Sequence, residues 1–380
     1  MTGIIKITFG TLYSGGVRIH TNQAVLSVFV NDSEAYFFDR SGRFVAAWQK
    51  GWFISLGLSG RSVARRWKEG RREIRPLKPT GIGELATSAE RALRAASGSA
   101  KGEERLWLGR ALTFDSAQDS ARFRQVYRPI GILPPDHYNA CVVQVTEGCG
   151  WNQCHFCSFY RGQTFRLKDR GEILSHLKKI AAFLGDGLSF RRSIFLGEAN
   201  ALQAPLDLLV YTMNAARRIL VPLMTDFRGF YSFSEGSPNS RSSKAEFKTL
   251  ARLGLQRVYF GLETGQSALR GKLRKPGTLE SMGESIANAK AAGVKVAIVL
   301  LAGTGGTRWA DRHERESIRF IRRLPLDESD IVFISPLYGP DGTTEPPLAA
   351  GIMEDQITRL RKALRSQARV APYDIREFVY

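Results

Sequence analysis

The chain has few cysteines and no long apolar run, and both scarcities limit what it can be. Only four cysteines occur in 380 residues, so we do not expect the disulfide framework that small secreted domains need. The longest apolar run, residues 296–302, is far shorter than the ~20 residues of a membrane-spanning helix. The first residues also lack the charged segment and apolar core of a signal peptide. These absences predict a cytoplasmic protein without a membrane span.

Acidic residues are also in deficit. The 36 Asp and Glu stand against 55 Lys and Arg, which gives a formal net charge of +19. The densest basic stretch is residues 61–78, where eight Lys and Arg accompany only Glu69 and Glu73. Such a surface could meet RNA, DNA, an anionic lipid or an acidic protein, or it could be a solvated face without a partner. Only Trp67 interleaves with these cations, unlike the aromatic platforms that bind single strands.

Three of the four cysteines lie close together. Cys149, Cys154 and Cys157 fall within nine positions, in the spacing C-x4-C-x2-C. Thiolates this close are typical of a metal or cluster site, because disulfide pairing would leave one of them unpaired. Zinc would need a fourth ligand, for which His155 and Cys141 are the candidates. An iron–sulfur cluster held by three cysteines would leave one iron open to a small molecule, since full ligation takes four.

The remaining sequence predicts an α/β fold. Residues 4–57 contain short β segments separated by turn residues, which favour a small antiparallel sheet, and residues 60–128 are charged and helix-prone. From residue 141 onward, strands and amphipathic helices alternate, which predicts parallel strands joined by helical crossovers. The predicted strands are residues 141–146, 193–196, 220–227, 257–262, 294–302 and 331–335. The predicted domains are a β-rich basic domain (1–127), a full or partial barrel (128–345) and a helical extension (346–380).

The cysteine loop resembles that of the radical S-adenosylmethionine (SAM) enzymes, with one residue more in the first gap than their commonest spacing, C-x3-C-x2-C. The resemblance implies that Cys149, Cys154 and Cys157 ligate a [4Fe–4S] cluster whose open iron chelates SAM. It implies that one electron, from a reductant protein such as flavodoxin or ferredoxin, cleaves SAM to methionine and a 5′-deoxyadenosyl radical that takes a hydrogen atom from the substrate. It also implies a partial (β/α)6 barrel, with Phe156 packed near the adenine of SAM.

Further candidates follow predicted strands, at the carboxyl ends where barrels build active sites. Gly197 and Glu198 stand where the family has a Gly-Gly-Glu turn that receives the SAM amino group, although Leu196 replaces the first glycine. Glu198 could instead be an acid at a helix N-terminus. Glu263, in a Gly-Leu-Glu-Thr turn like the family's, could bind the ribose hydroxyls or form a structural salt bridge.

Three more positions follow from the same comparison. Asn200 could reach the ribose or the substrate. The turn of Gly303, Thr304 and Gly305 would let the backbone approach the cofactor closely, which a Cβ atom would prevent. Arg274 or Lys275 could neutralise the SAM carboxylate.

The substrate stays open. No second set of cysteines is present for an auxiliary cluster, and Cys141, up to ~26 Å of strand away from Cys149, is expected to be a buried apolar residue. Residues 1–127 lack the doubly wound pattern of a cobalamin domain. We expect an enzyme acting on a small molecule. The alternatives are an RNA-modifying enzyme that uses the basic region, and a non-enzymatic zinc or cluster protein that binds nucleic acid. No catalytic residue is predicted.

Overall fold

The computed structural model describes residues 16–69, 71–237, 243–339 and 348–380. It contains an antiparallel sheet with three helices, followed by a parallel sheet whose strands alternate with helices. The strand predicted at residues 4–9 lies outside the described residues.

The amino-terminal sheet is a meander in which each strand pairs antiparallel with the next. The side chain of Asn31 accepts a hydrogen bond from the Ser33 amide at 2.8 Å and so forms one of its turns. Its strands are β1 (Arg18–Thr21), β2 (Val25–Asn31), β3 (Glu34–Asp39), β4 (Phe44–Gln49), β5 (Trp52–Leu56), β6 (Ser62–Lys68) and β7 (Arg71–Pro76). The helices α1 (Pro79–Ala96), α2 (Gly102–Leu112) and α3 (Ser116–Val126) follow.

Residues 62–76 are strands, although the charged stretch from residue 60 was predicted to be helical. The extended conformation brings arginines of β6 and β7 over aromatic rings of β5. The Arg65 guanidinium lies 4.6 Å from the centre of the Phe53 ring, and those of Arg66 and Arg75 lie 4.3 and 4.1 Å from that of Trp52. Cross-strand packing therefore outweighs the local helix preference.

The antiparallel sheet uses both of its faces. One face packs Leu26, Val28 and Tyr36 against α1 and α2. The other face packs Val25 and Phe37 with neighbouring residues against Phe190, which belongs to the second half of the chain.

The second half holds seven parallel strands in the order β8-β11-β12-β13-β14-β15-β16, which confirms the predicted α/β fold with a parallel sheet. The first part consists of β8 (Cys141–Gln144), the short antiparallel pair β9 (Thr146–Glu147) and β10 (Arg166–Leu167), α4 (Arg170–Leu184), β11 (Ile194–Gly197), α5 (Leu206–Ile219), β12 (Phe230–Ser234) and α6 (Lys244–Arg252). The second part consists of β13 (Leu255–Glu263), α7 (Ser267–Lys272), α8 (Leu279–Ala291), β14 (Lys295–Ala302), α9 (Gly306–Arg322), β15 (Ile331–Pro336), α10 (Ala350–Leu364) and β16 (Arg369–Pro372).

Two strands differ from the sequence prediction. The strand expected at residues 220–227 is wrong, because Val221–Leu223 forms a 3-10 turn around Pro222 and the strand is Phe230–Ser234. The seventh strand, β16, was not predicted. It is a four-residue edge strand with no apolar run, and it ends in a proline that an edge tolerates. A helical extension was expected here. Instead, β16 extends the main sheet, and α10 packs against α9 and β15.

A buried ion network joins the two halves. The Arg43 guanidinium donates two hydrogen bonds of 2.7 Å to Asp119 of α3 and one of 3.0 Å to Asp39. It also donates to the Phe183 carbonyl of α4 at 3.3 Å. Arg43, Asp39 and Asp119 are all buried, and Arg43 is the cation that pairs directly with both carboxylates. Among the helices of the described residues, none is long and apolar enough to span a bilayer.

We predict that Arg43→Met lowers the free energy of unfolding by about 3–5 kcal/mol, because it leaves two buried carboxylates without their partner. Urea unfolding followed by circular dichroism would measure the loss. The matched control is Arg94→Met, which removes an exposed pair with Glu90 on α1 and should cost under about 1 kcal/mol. Equal stability of the two variants would contradict the structural role of the Arg43 network.

Candidate active site

The cysteine loop, residues 148–157, follows the carboxyl end of β8 and rests on the turn after α7. The Trp151 indole Nε1 donates to the Arg274 carbonyl at 2.6 Å, and the His155 amide donates to the Leu273 carbonyl at 3.1 Å. Sequence reasoning missed α7 and this turn as a support. The helix has only six residues and shows no apolar periodicity that would have marked it.

The loop presents three free, partly exposed thiols. The pKa of Cys154 is raised to about 11: burial raises it most, Lys275 lowers it, and Glu263, Cys157 and Cys149 add smaller increases. These contributions show that the three sulfurs and the Lys275–Glu263 pair lie within electrostatic reach of one another. In the described part of the chain, no three Cys, His, Asp or Glu side chains converge as the ligands of one metal ion.

The loop's own backbone conformation turns amide groups toward sulfur. Asn152 adopts a left-handed φ of 47°, and its amide donates to Cys149 Sγ at 3.4 Å. Its side chain closes the loop by donating to the Tyr160 carbonyl at 2.9 Å. Hydrogen bonds to sulfur favour the thiolate, which is the form that binds metals and clusters. The donor set therefore fits a thiolate-ligated cluster.

A buried ion pair lies beside the thiols. Lys275 Nζ donates to Glu263 Oε1 at 3.0 Å, and both side chains are about nine-tenths buried. Burial opposes the charged form of Lys275, but attraction to Glu263 and Cys154 outweighs it and raises the pKa. Nζ also lies 5.8 Å from the centre of the Phe156 ring. Lys275 places its positive charge next to the cysteine loop, and the Glu263 carboxylate partly offsets it.

Gly261 gives this ion pair its room. A Cβ atom there would lie 2.6 Å from Glu263 Oε1 and 2.7 Å from Lys275 Nζ. Glu263 itself has a left-handed φ of 60°, which turns its side chain toward the pair at the end of β13. The structure therefore bears out the salt bridge that the sequence left as one alternative for Glu263, and it selects Lys275 as the partner. Ribose binding by Glu263 stays a prediction.

The turn that carries Lys275 is held by Arg270. This arginine is 3% exposed, and its guanidinium donates to the carbonyls of Leu262 at 2.9 Å and Pro276 at 2.8 Å. On the outer side of the turn, Phe156 packs with a small apolar cluster formed by Leu269, Leu273 and Trp309. The charged pair thus lies between a rigid turn and an apolar wall.

Glu198 lies under the start of the loop. Its Oε2 accepts a hydrogen bond from the Gly148 amide at 2.9 Å, and its Oε1 accepts one from the Gln144 side chain. Burial raises the pKa of Glu198 to about 7, against the opposing effect of these hydrogen bonds. Glu198 precedes a 3-10 turn, and α5 begins only at Leu206, so it is not the N-terminal acid of an α-helix. It ties β8, β11 and the loop together.

Asn200 and Gln203 continue this edge. Asn200 is 4% exposed and begins the turn Ala201–Gln203. A Cβ atom on Gly150 would collide with Gln203 Oε1, so the glutamine side chain lies directly against the cysteine loop. Gln203 Nε2 also donates to Glu235 Oε1, just after β12, at 3.0 Å. Glu235 was not predicted, because the strand before it was placed wrongly.

The glycine turn after β14 has a packing function of its own. Gly303 has φ 87° and its amide donates to Gln356 of α10 at 2.9 Å; a Cβ atom there would lie 2.8 Å from Met353 Sδ. Gly305 has φ 76° and is covered by Trp309 and Leu269. Thr304 is fully buried. Backbone conformation and the packing of these helices explain the glycines, and their contact with a cofactor stays a prediction.

Cys141 lies at the opposite end of β8 from the loop. It is fully buried, and its surroundings include Tyr127 and Arg191. Burial raises the pKa of its thiol to about 12. The expected buried apolar cysteine is confirmed, and this position does not fit a fourth ligand in the cysteine loop.

Comparison with known proteins supports the family resemblance that the cysteine loop suggested. Residues 143–321 match the family model of the radical SAM superfamily, which confirms the resemblance and supports the predicted cofactors, a [4Fe–4S] cluster and SAM. Hopanoid C-3 methylase of Methylococcus capsulatus is 26% identical over 228 residues, a match that covers 58% of this chain. The chain spans only 37% of the length of that relative.

Solved structures give low-level likenesses. Coproporphyrinogen III oxidase from Escherichia coli is 11% identical with a TM-score of 0.47, over 67% of this chain and 56% of that one. A radical SAM methyltransferase from Sphaerobacter thermophilus is 13% identical with a TM-score of 0.42, over 95% of this chain and 76% of that one.

We predict that Gly261→Ala lowers the free energy of unfolding by about 1–3 kcal/mol, since the added methyl group overpacks the Lys275–Glu263 pair. Thermal unfolding monitored by calorimetry would measure it. Gly271→Ala on α7 is the matched control, because nothing lies within 4 Å of its Cβ position and alanine favours a helix. An unchanged Gly261→Ala variant would show that the pair can move aside at no cost.

Proposed function

On the premise that residues 143–321 form a radical SAM superfamily domain, we propose that the chain reductively cleaves SAM and abstracts hydrogen from a small-molecule substrate. The observation that carries the proposal is the docking of a three-cysteine loop beside a buried Lys–Glu pair, at the carboxyl end of a parallel sheet. This is the end where barrel folds assemble catalytic sites.

The cysteines of the loop, Phe156 and the neighbouring Lys275 each have a proposed role. Cys149, Cys154 and Cys157 would hold a [4Fe–4S] cluster, which with SAM supplies the radical chemistry when bound. Lys275 places its positive charge in reach of Cys154, which favours thiolates over thiols. Phe156, backed by an apolar cluster, would exclude water and contact the adenine.

The acidic residues would position the loop and SAM. Glu198 already binds the Gly148 amide and Gln144 with its two oxygens, so we propose that it holds the loop in place. Asn200 and Glu263 remain candidates for the ribose hydroxyls. The turn of residues 303–305 remains a candidate for backbone contact with SAM.

A small-molecule substrate is favoured over RNA because several arginines of the basic stretch, residues 61–78, already have partners within the protein. Arg66 pairs with Glu73 at 2.6 Å and Arg72 with Glu377 at 2.8 Å, and three of its arginines lie over aromatic rings. These cations are largely engaged within the protein. A reductant protein such as flavodoxin or ferredoxin would supply the electron, and a cytoplasmic location stays a prediction.

We predict that the anaerobically reconstituted, reduced protein forms 5′-deoxyadenosine from SAM, and that Cys154→Ala abolishes it, because three thiolates are needed to leave one iron open. Chromatography of the product would measure it. Cys141→Ala is the matched control: it removes the one thiol outside the loop, and it should keep both the visible absorbance of the cluster and the product.

Two outcomes would contradict the proposal. A colourless protein with bound zinc and no 5′-deoxyadenosine would favour the zinc-protein interpretation. Equal loss in Cys141→Ala and Cys154→Ala would show that the loop is not the cluster site.

We also predict weak RNA binding that does not fall steeply with salt. A protein that neutralises several phosphates loses affinity with a log–log slope of several. Filter binding of a mixed-sequence RNA over a series of salt concentrations would measure the slope. A steep slope that is removed by replacing Lys68 and Lys78 with Gln would favour an RNA substrate instead.

A further inference from the structure

A cavity lies near the end of β8 that is opposite the cysteine loop. It has a volume of about 430 Å³. Strands β4, β5 and β6 of the antiparallel sheet form one part of its wall. The rest is formed by residues 138–139 before β8, residues 190–191 before β11, and residues 377–380. The cysteine loop follows the other end of β8, a strand of four residues that spans roughly 13 Å. The volume lies in the range of sites for small organic ligands.

Arg191 is the unusual feature of this cavity. It is 5% exposed, and its Nε is buried without a hydrogen-bond partner. Within the described ranges, no carboxylate lies at ion-pair distance from its guanidinium, which instead lies 5.6 Å from the ring centres of Phe190 and Tyr380. Asp39 lies within electrostatic reach of Arg191, but it binds Arg43 directly, and a buried cation without a direct ion-pair partner is costly. An anion in the cavity would supply the missing partner.

The other lining arginines differ in how far they are satisfied. Arg43 and Arg66 already bind carboxylates of Asp119 and Glu73, and Arg72 pairs with Glu377, the only acid among the described residues of the lining. Arg65 binds just the Ser55 hydroxyl at 3.2 Å and, in the part of the chain described, no carboxylate. Two cations, Arg65 and Arg191, therefore face the cavity without an acidic partner.

The remaining wall is largely apolar and aromatic. Val45, Trp48, Phe53 and Phe190 contribute to it and belong to one packed cluster, with Tyr138 on the opposite side. An inorganic ion would leave these surfaces facing water, whereas a ligand with an apolar body would cover them. Guanidinium groups bind carboxylate and phosphate oxygens in the same forked geometry.

We propose that this cavity is a binding site for an amphipathic organic anion: an aromatic or acyl body against Trp48 and Phe53, with a carboxylate or phosphate group on Arg191. The site is separate from the proposed SAM site, and its occupancy does not depend on radical chemistry.

The experiment is calorimetric titration of the full chain, reconstituted anaerobically, with 1-naphthoate, 1-naphthyl phosphate and octanoate. The neutral analogues 1-naphthylmethanol and octanol are titrated in parallel. We expect at least one anion to bind and to raise the unfolding temperature, and its neutral analogue to bind at least tenfold more weakly. The three anions separate an aromatic from an acyl body and a carboxylate from a phosphate.

Variants then assign the charge. Arg191→Leu should lower the affinity for the bound anion at least tenfold, and should lower the unfolding temperature less than Arg43→Met does, because Arg191 forms no direct ion pair and acts on Asp39 only at longer range. Arg191→Lys should keep part of the affinity. Arg192→Leu is the matched control, since its side chain points to Asp226 at 3.7 Å and not into the cavity. If Arg191→Leu does not fold, Trp48→Ala, which shortens the apolar wall, should weaken binding by itself.

Three results would overturn the proposal. Neutral and anionic analogues could bind equally well, Arg191→Leu could bind as the wild type does, or none of the three anions could bind at millimolar concentration.

Discussion

The buried ion pair of Lys275 and Glu263 is the constraint on which the candidate site depends. Neither charge would be stable alone in this position, because desolvation of an unpaired ion is costly. Their pairing fixes the turn after α7 against the end of β13, and that turn carries the two carbonyls on which the cysteine loop rests. The geometry of the three thiols therefore follows from a contact that contains no sulfur.

The cost of an unpaired buried charge also distinguishes two buried arginines, Arg43 and Arg191. At the junction of the halves, Arg43 is fully satisfied by two buried carboxylates and joins the domains. At the nearby cavity, Arg191 is equally buried but has no acid at ion-pair distance in the described residues. The paired Arg43 stabilises the fold, whereas Arg191, which has no direct ion pair, is the group to which we propose that an anionic ligand binds. The proposed SAM site lies at the carboxyl ends of the parallel strands, and the proposed anion site lies near their amino ends.

Much of the site followed from local patterns. The cysteine spacing identified the loop, because all three thiols lie in one short segment. Glu198, Glu263 and Gly303 were predicted as candidates because each directly follows an apolar run, and parallel strands place their carboxyl ends at one edge. Where a strand lacked an apolar run, as in β16, or a hairpin was rich in charge, as in β6 and β7, prediction failed. In those elements the stabilising partners come from neighbouring strands.

The sequence by itself determined the α/β class, and it predicted the cysteine loop as the cluster site and the edge of the sheet for the candidate site, since these depend on spacing and periodicity within short stretches of chain. Only the tertiary structure decided that Lys275 is the partner of Glu263, that Glu198 binds the base of the cysteine loop, and that Arg191 Nε is buried without a hydrogen-bond partner among the described residues. Ion pairs and burial depend on which distant segments meet. Among 55 basic residues, the sequence alone could not single out Arg191, because its burial depends on contacts between distant segments.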